Sequence, residues 1–399
     1  MKNNYSLYGL PAEVKFCKSC SISNQRPRSV VEFKNLNDQK KGMQFNNEGI
    51  CEACQYHQTK EKINWKEREK KLLKLLEKYR KRDGYDCIVP GSGGKDSAYA
   101  SHILKYKYGM NPLTVTWAPH LYTQVGWNNF INWVHEGGFD NILFTPNGKL
   151  HRLLTKLAFE NLLHPFQPFI IGQKIIGPLM ALKFKIPLIF YGENQAEYGN
   201  AIEENENPEM NKDFFSNDSD KNIILSGMEL NKIIREYNFK INDFKPYIPP
   251  TKKEISDLNI QQRFLGYYIK WDPQECFYYA TKNTGFKPND ERTEGSYSKY
   301  SSIDDKIDPF HYYCTYIKFG IGRATYDSSQ EVRNQKIDRS EAVELIKKYD
   351  SEFPKKYFKE FLKYISINEK RFWEIIDRFR SPHLWKKNNN KWTLKKIIS

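Results

Sequence analysis

Between residues 85 and 191, short apolar runs alternate with longer stretches in which apolar side chains recur at every third or fourth position. Tyr85 to Val89, Leu113 to Trp117, Asn141 to Thr145 and Pro187 to Tyr191 have the length and content of strands. The pieces between them, near Ala98 to Tyr108, Val125 to Glu136, Lys149 to Leu163 and Gln173 to Lys185, have helical spacing. Four strand–helix units in succession predict an α/β fold built on a doubly wound parallel sheet, whose ligands sit at the carboxyl ends of strands. Upstream, Glu61 to Arg82 sets Ile63, Trp65, Leu72, Leu73, Leu75, Leu76 and Tyr79 at helical spacing, with basic residues opposite. Downstream of Pro246-Tyr-Ile-Pro-Pro250 the chain turns helical and aromatic, with capping-box spacings at Asp338-x-x-Glu341 and Ser366-x-x-Glu369. The predicted organisation is a module over 1–60, a basic linker helix over 61–83, an α/β domain over 84–245 and a mainly helical region over 246–399. Glu203 to Asn222, rich in Asn, Asp and Glu, reads as a mobile surface excursion with or without a lid's role.

Composition changes this picture in two places. The 399 residues carry a formal charge of +15, which raises the question of a polyanionic partner. Most of it is local, however: Lys60 to Arg82 holds eleven basic against four acidic residues, and Lys386 to Ser399 holds five lysines and no acid. The basic helix is then either a solvated face or a contact surface. No run approaches the roughly 18 apolar residues of a membrane span, and Met1-Lys-Asn-Asn-Tyr5 lacks the apolar core of a signal peptide. A cytoplasmic location is expected, with no membrane partner. The second place is cysteine. Four of the seven stand as Cys17-x-x-Cys20 and Cys51-x-x-Cys54, two knuckles able to close a tetrahedral Zn²⁺ site with four thiolates. Reduced pairs without metal and a redox or Fe–S role stay open. His57 is a spare ligand or a surface residue.

The chemistry-bearing stretches fall at the predicted strand ends. Val89-Pro-Gly-Ser-Gly-Gly-Lys-Asp-Ser-Ala98 joins the first strand to a helix, and its glycines let several amide hydrogens converge where the helix N-terminus adds positive charge. It is not a Walker loop, because Asp96 follows Lys95 and Val89 stands where the first glycine belongs. Trp117-Ala-Pro-His120 follows the second strand. After the fourth, Gly192-Glu-Asn-Gln-Ala-Glu-Tyr-Gly199 sets two carboxylates and an amide beside the loop, either a plain polar loop or a group able to hold Mg²⁺ and orient a nucleophile. His164-Pro-Phe-Gln-Pro-Phe-Ile-Ile-Gly-Gln173 reads as a connector between two helices. In it His164 and Gln167 are ligand contacts or packing residues, and Gly172, at a helix start, allows close approach of a ribose or base. Arg323 and Arg333 are substrate-binding arginines or members of surface salt bridges. Phe372, Trp373, Phe379 and Trp385 read as core rather than as a stacking platform.

Ser92-Gly-Gly-Lys-Asp-Ser97 resembles the PP-loop of ATP pyrophosphatases, which split ATP between its α and β phosphates. Several further stretches join it: the cysteine pairs, Phe139-Asp-Asn-Ile-Leu-Phe-Thr-Pro146, the His164–Gln173 connector, Tyr191-Gly-Glu-Asn194 with Glu197-Tyr-Gly199, and Phe319-Gly-Ile-Gly-Arg-Ala-Thr325. Together these resemble the N-acetyl sugar amidotransferases along almost the whole chain. That resemblance implies conversion of an acetamido group on a nucleotide-linked sugar or nonulosonic acid to an acetamidino group. Such reactions serve bacterial surface polysaccharides (lipopolysaccharide, O-antigen) and flagellar sugars such as pseudaminic acid. It implies ATP, Mg²⁺ and structural Zn²⁺ as cofactors. Ser92, Gly93, Gly94 and Ser97 would hold pyrophosphate, Lys95 would neutralise its charge, and Asp96 would bind Mg²⁺. Glu193, Asn194 and Glu197 would complete the metal or steer the acetamido group and ammonia, while Trp117 would stack on adenine. The candidates for substrate binding are His164, Gln167 and Gln173 of the connector, together with Arg323 and Arg333. Ammonia would come from a glutaminase subunit working with a cyclase-like subunit, both resembling imidazole glycerol phosphate synthase components.

Two other readings compete. A tRNA-modifying PP-loop enzyme, of thiolase or lysidine synthetase type, also combines zinc cysteines, basic charge and adenylation. Cys276 and Cys314 match no thiolase cysteine motif, so nucleic acid is not the expected partner. A zinc-bearing adaptor that binds nucleotide without turnover would have no need of Ser92, Lys95, Asp96 and Ser97 together.

Overall fold

The computed structural model describes residues 6–36, 40–193, 207–218 and 222–399. Its centre is a five-stranded sheet, β1 (Cys87–Pro90), β2 (Pro112–Trp117), β3 (Asn141–Phe144), β4 (Leu188–Tyr191) and β5 (Gln261–Phe264), in the order β3-β2-β1-β4-β5. Every pair is parallel, with Val89 opposite Thr114, Ile88 opposite Ile189 and Tyr191 opposite Phe264. Strand order reverses between β1 and β4. Right-handed crossovers therefore put α3 (Lys95–His102) and α4 (Gln124–His135) on one face, and α5 (Gly148–Leu162) and α6 (Gln167–Phe184) on the other. Ala98, Phe130, Trp133, Phe139 and Ala280 form one apolar cluster, and Leu150, Leu154, Phe159, Ile175 and Ile176 belong to the main core. The architecture is the predicted α/β fold with a central parallel sheet and a helical C-terminal region.

Three local differences from the predicted elements have physical causes. Helix α6 starts at Gln167, six residues earlier than the spacing predicts, because Pro168 lies in the first turn, where a missing N–H costs nothing. Gly172 is thus inside a helix and not at its start. Strand β5 went unpredicted because its sequence, Gln-Gln-Arg-Phe, is polar, as an edge strand buried at alternate positions can be. Its outer side is covered by residues 207–210, through the Met210 N–H to the Gln262 carbonyl at 2.8 Å and Arg263 to Glu209 at 2.6 Å. The described part of the acidic excursion is accordingly packed, with Met210 and Phe215 buried. Residues 203–206 and 219–221 lie outside the described residues. Finally, Ser366 ends the helix Phe358–Ile365 at φ +54°, and Asn368, not Ser366, caps the next helix through the Arg371 N–H. The Asp338–Glu341 capping box forms as its spacing predicts.

The N-terminal cysteine module leads into α1 (Glu52–Lys60) and α2 (Trp65–Tyr79), separated by a break at which Asn64 caps α2. Leu72 and Leu76 are buried under α2, and Arg68 lies over the Tyr267 ring at 3.6 Å. The basic helix is therefore docked along one face while Lys66, Lys70, Lys71 and Lys74 stay exposed. The basic tail forms a ribbon, Trp385–Asn388 with Lys391–Leu394, turning through Asn389 and Asn390 at positive φ. Phe372, Phe379 and Trp385 belong to the core.

Candidate active site

The carboxyl ends of β1 and β4 flank the point where strand order reverses, and a cleft of about 600 Å³ opens there. Glycine shapes the loop after β1. Gly93 has φ +82°, and a Cβ on it would lie 2.8 Å from the Phe130 Cα, so the loop lies tight against α4. Gly94 caps α3, leaving the first-turn amides of the helix directed toward the loop. Ser92, Gly93, Gly94, Lys95 and Asp96 line a smaller pocket of about 190 Å³, and Lys95 and Asp96 also line the large cleft. Ser97 is turned inward. Its hydroxyl donates to the Gly94 carbonyl at 3.0 Å, and it packs so close to Gly91 that a Cβ there would lie 2.2 Å from its own.

Lys95 Nζ and Asp96 Oδ2 are 2.6 Å apart. Burial works against the Lys95 charge, but Asp96, Cys276 and Glu193 outweigh it and raise its pKa. The other carboxylate oxygen, Asp96 Oδ1, is buried with no hydrogen-bond partner among the described residues. A carboxylate oxygen so placed, beside a loop suited to phosphate, fits Mg²⁺, which is commonly held by one or two carboxylates with substrate phosphates and water. Glu193 lines the same cleft. Asn194 and Glu197 lie outside the described residues.

The remaining expected contacts divide. Gln173 and Arg323 line the cleft. His164 and Gln167 do not. Gln167 is fully buried, donating to the Glu32 carbonyl at 2.8 Å and accepting from the Ser226 N–H at 2.7 Å, so both ends of its amide serve packing. His164 lies 3.4 Å from Glu32 Oε1 and stacks on His311, which is the ring facing the cleft. Arg333 is buried against the cysteine cluster, 3.9 Å from Cys20 Sγ, rather than at the cleft. Trp117 reaches the cleft but is only 2% exposed, surrounded by Phe144, Tyr247 and the bare Cα of Gly172. It is a wall, not a free stacking face. The role of Gly172 is correspondingly different from the expected one: a Cβ there would lie 2.1 Å from Trp117 Cε2. Gly172→Ala gains about 1 kcal/mol of helix propensity and loses about 2–3 kcal/mol to overpacking, because α6 is wedged against the sheet. The expected result is a lower midpoint in denaturant unfolding; an unchanged or higher one would refute this packing account.

Residues that sequence reasoning passed over also face the cleft. Lys174 follows Gln173 and lies over the Tyr191 ring at 6.0 Å, with burial lowering its pKa against the opposing pull of Glu193 and Glu32. Tyr300, Ser301, Tyr312 and Lys336 come from the C-terminal region, and Arg26 and Ser29 come from the cysteine module. The clustered hydroxyls of Ser296 to Ser302 were the one available signal. Cys276, in the helix Pro273–Thr284 packed on α3, is buried, and its thiol is pushed well up by that burial.

Cys17, Cys20, Cys51 and Cys54 are buried with their sulfurs within 4.8 Å of one another. Cys17 Sγ to Cys54 Sγ is 3.9 Å and Cys20 Sγ to Cys51 Sγ is 3.8 Å. Four thiolates around Zn²⁺ with bonds of about 2.3 Å stand about 3.8 Å apart, so the set fits a tetrahedral metal ion. His57 is not part of the group; burial pushes its pKa down to about 4. The module packs on Ile321, Tyr326 and Val332, and the Arg339 Nε donates to the Cys17 and Cys20 carbonyls.

Comparison with known proteins adds three likenesses. Residues 294–398 match the family described as LPS biosynthesis protein WbpG-like, C-terminal domain. Over 77 residues the chain is 36% identical to an uncharacterized protein of Methanocaldococcus jannaschii, which is 19% of this chain and 27% of that protein's length. The NMN synthetase from Francisella tularensis is 13% identical with a TM-score of 0.32, over 72% of this chain and 93% of that one.

Proposed function

We propose that this protein is an ATP-dependent, AMP-forming amidotransferase of bacterial surface-glycan synthesis, acting on the acetamido group of a nucleotide-activated sugar or nonulosonic acid. The observation that carries the reading is the Ser92–Asp96 loop at the sheet's switch point, with Lys95 and Asp96, one of whose carboxylate oxygens is buried and unpartnered, lining a cleft large enough for nucleotide and acceptor. The lipopolysaccharide-related family match over 294–398 supports the glycan setting.

An amide resists ammonia because its oxygen is a poor leaving group. Adenylation makes that oxygen part of AMP, a better one. The chain's own contribution is positioning and charge stabilisation. The amides of Gly93 and Gly94 and the Ser92 hydroxyl hold the phosphates, while Lys95 faces the charge that develops on the leaving pyrophosphate. Asp96 is the Mg²⁺ ligand, and Glu193 orients the acetamido group or the incoming ammonia. Mg²⁺, when bound, supplies Lewis-acid stabilisation of phosphate charge. The four cysteines hold a structural Zn²⁺. Ammonia comes from a glutaminase partner acting with a cyclase-like subunit, and the exposed lysines of α2 offer it a surface.

The test is ATP–pyrophosphate exchange with purified protein and candidate acetamido sugars, followed by AMP formation on adding ammonium salt. Exchange that depends on one acetamido sugar is the expected result. Absence of exchange with every such sugar would favour a nucleotide-binding adaptor, and exchange that depends on tRNA would favour the RNA-modifying reading. Cys276 and Cys314 are each only 1% exposed, which disfavours a thiolase among the latter.

A further inference from the structure

The glycine loop forms only half of the pocket it lines. The other half is the segment Tyr300, Ser301, Ser302, Ile303 and Asp304 together with Arg323, all from the C-terminal region. This second wall is held firmly. A Cβ on Gly126 would lie 2.4 Å from the Asp304 Cα, so the segment presses on the N-terminus of α4. The Thr123 N–H donates to the Asp304 carbonyl at 3.1 Å and the Thr123 hydroxyl to that of Ile303. Behind it, Asp305 accepts from the His120 N–H at 2.7 Å and meets His120 Nδ1 at 2.8 Å, in a fully buried pair. The Trp117–His120 stretch after β2 thus anchors the wall.

Arg323 is fixed as well. Its guanidinium lies over the Tyr312 ring at 4.5 Å, donates to the Tyr312 hydroxyl, and pairs with Asp327 at 2.9 Å. The start of its helix is tied to Asp350 through the Gly322 N–H at 3.0 Å and the Thr325 N–H at 2.9 Å. Burial opposes the Arg323 charge, but Asp327, Tyr312 and Asp308 hold it protonated. Four charged groups line the small pocket: Lys95 and Arg323, Asp96 and Asp304. Burial pushes the Asp304 carboxyl above its usual range. Lys95, Asp96, Tyr300, Ser301 and Arg323 belong to both cavities and so mark the passage between them.

We infer that the C-terminal region completes a two-walled pocket for pyrophosphate, and that Arg323 is the cation that meets the leaving group from the side opposite Lys95. This assigns Arg323 to the nucleotide rather than to an acidic acceptor, and it rests on the adenylation reading above. In that step a bond forms between the acetamido oxygen and the α phosphorus, and the bond from the α phosphorus to the β-phosphate bridging oxygen breaks. Its electron pair leaves on pyrophosphate, and the amide N–H proton passes to solvent. The charge therefore accumulates in the small pocket, where a rigid guanidinium needs no reorganisation to meet it.

The test uses the full-length protein with inorganic pyrophosphate and Mg²⁺, by titration calorimetry, with AMP as the control ligand. Arg323→Gln is expected to weaken pyrophosphate binding about 10- to 100-fold while AMP binding changes less than about 2-fold, and Arg323→Lys is expected to recover part of the loss. Unchanged pyrophosphate affinity with a raised KM for the acceptor would overturn the assignment. Because Arg323 also holds Tyr312 and Asp327 in place, hydrogen exchange on the wild-type protein provides a variant-free check. Pyrophosphate is expected to slow exchange at 300–304 and 323–326 as well as at 92–97, and protection confined to 92–97 would also overturn it. A wild-type protein that binds neither pyrophosphate nor ATP would remove the nucleotide reading itself, a result distinct from either of these.

Discussion

Asp96→Asn is expected to lower AMP formation by roughly 10³-fold while leaving the folded protein intact. The loss should be large because Asp96 is at once the partner of Lys95 at 2.6 Å and the owner of the buried, unpartnered oxygen at the mouth of the phosphate loop. Asparagine keeps the shape and removes the charge. Metal affinity should fall, and Lys95 should lose its closest counter-charge. The fold should survive, because the Asp96 side chain faces the cleft rather than the core. Single-turnover AMP formation at several Mg²⁺ concentrations, beside a thermal melt, is the appropriate measurement. If the variant formed AMP at the wild-type rate, the metal assignment would be wrong.

Cys51→Ser is expected to abolish stoichiometric metal binding and to unfold the N-terminal module. Structural zinc sites contribute about 10–16 kcal/mol of apparent binding energy in isolated fingers, energy that becomes folding energy when the site does not pre-exist. Here the module is small, and its apolar cluster is little more than the four cysteines with Ile22, Met43, Ala53 and Ile321. The effect should reach the cleft too, because Arg26 and Ser29 of this module line it, so acceptor binding should weaken together with stability. Metal analysis and thermal unfolding check this in one preparation. Native protein containing no zinc would sink the claim.

Much of this was legible in the chain. The four βα units, the loop from Ser92 to Asp96 and the cysteine pairs were local signals, set by spacing and by the backbone freedom of glycine. The edge strand was not legible, since Gln261, Gln262 and Arg263 become a strand only by pairing with β4. The described part of the acidic segment, 207–218, misled for a related reason: Met210 and Phe215 are too few to show in composition, yet they are buried.

The residues around the cleft make the same division sharper. Gln167 and Arg333 carry side chains suited to a ligand, but a Ser226 amide in one case and Cys20 in the other came to lie against them, and neither neighbour is close in sequence. Gly172 had an apparent reason in ligand approach and a real one in the indole of Trp117. Sequence by itself determined four strands of the sheet, the phosphate-suited loop and the metal-suited thiols, because each depends on residues near one another in the chain. Tertiary structure alone decided that the cysteine module and the C-terminal helices wall the same cleft, and that Arg323 lines the same small pocket as Lys95. Those relations join residues more than two hundred positions apart, and only the packing of the whole chain brings them together.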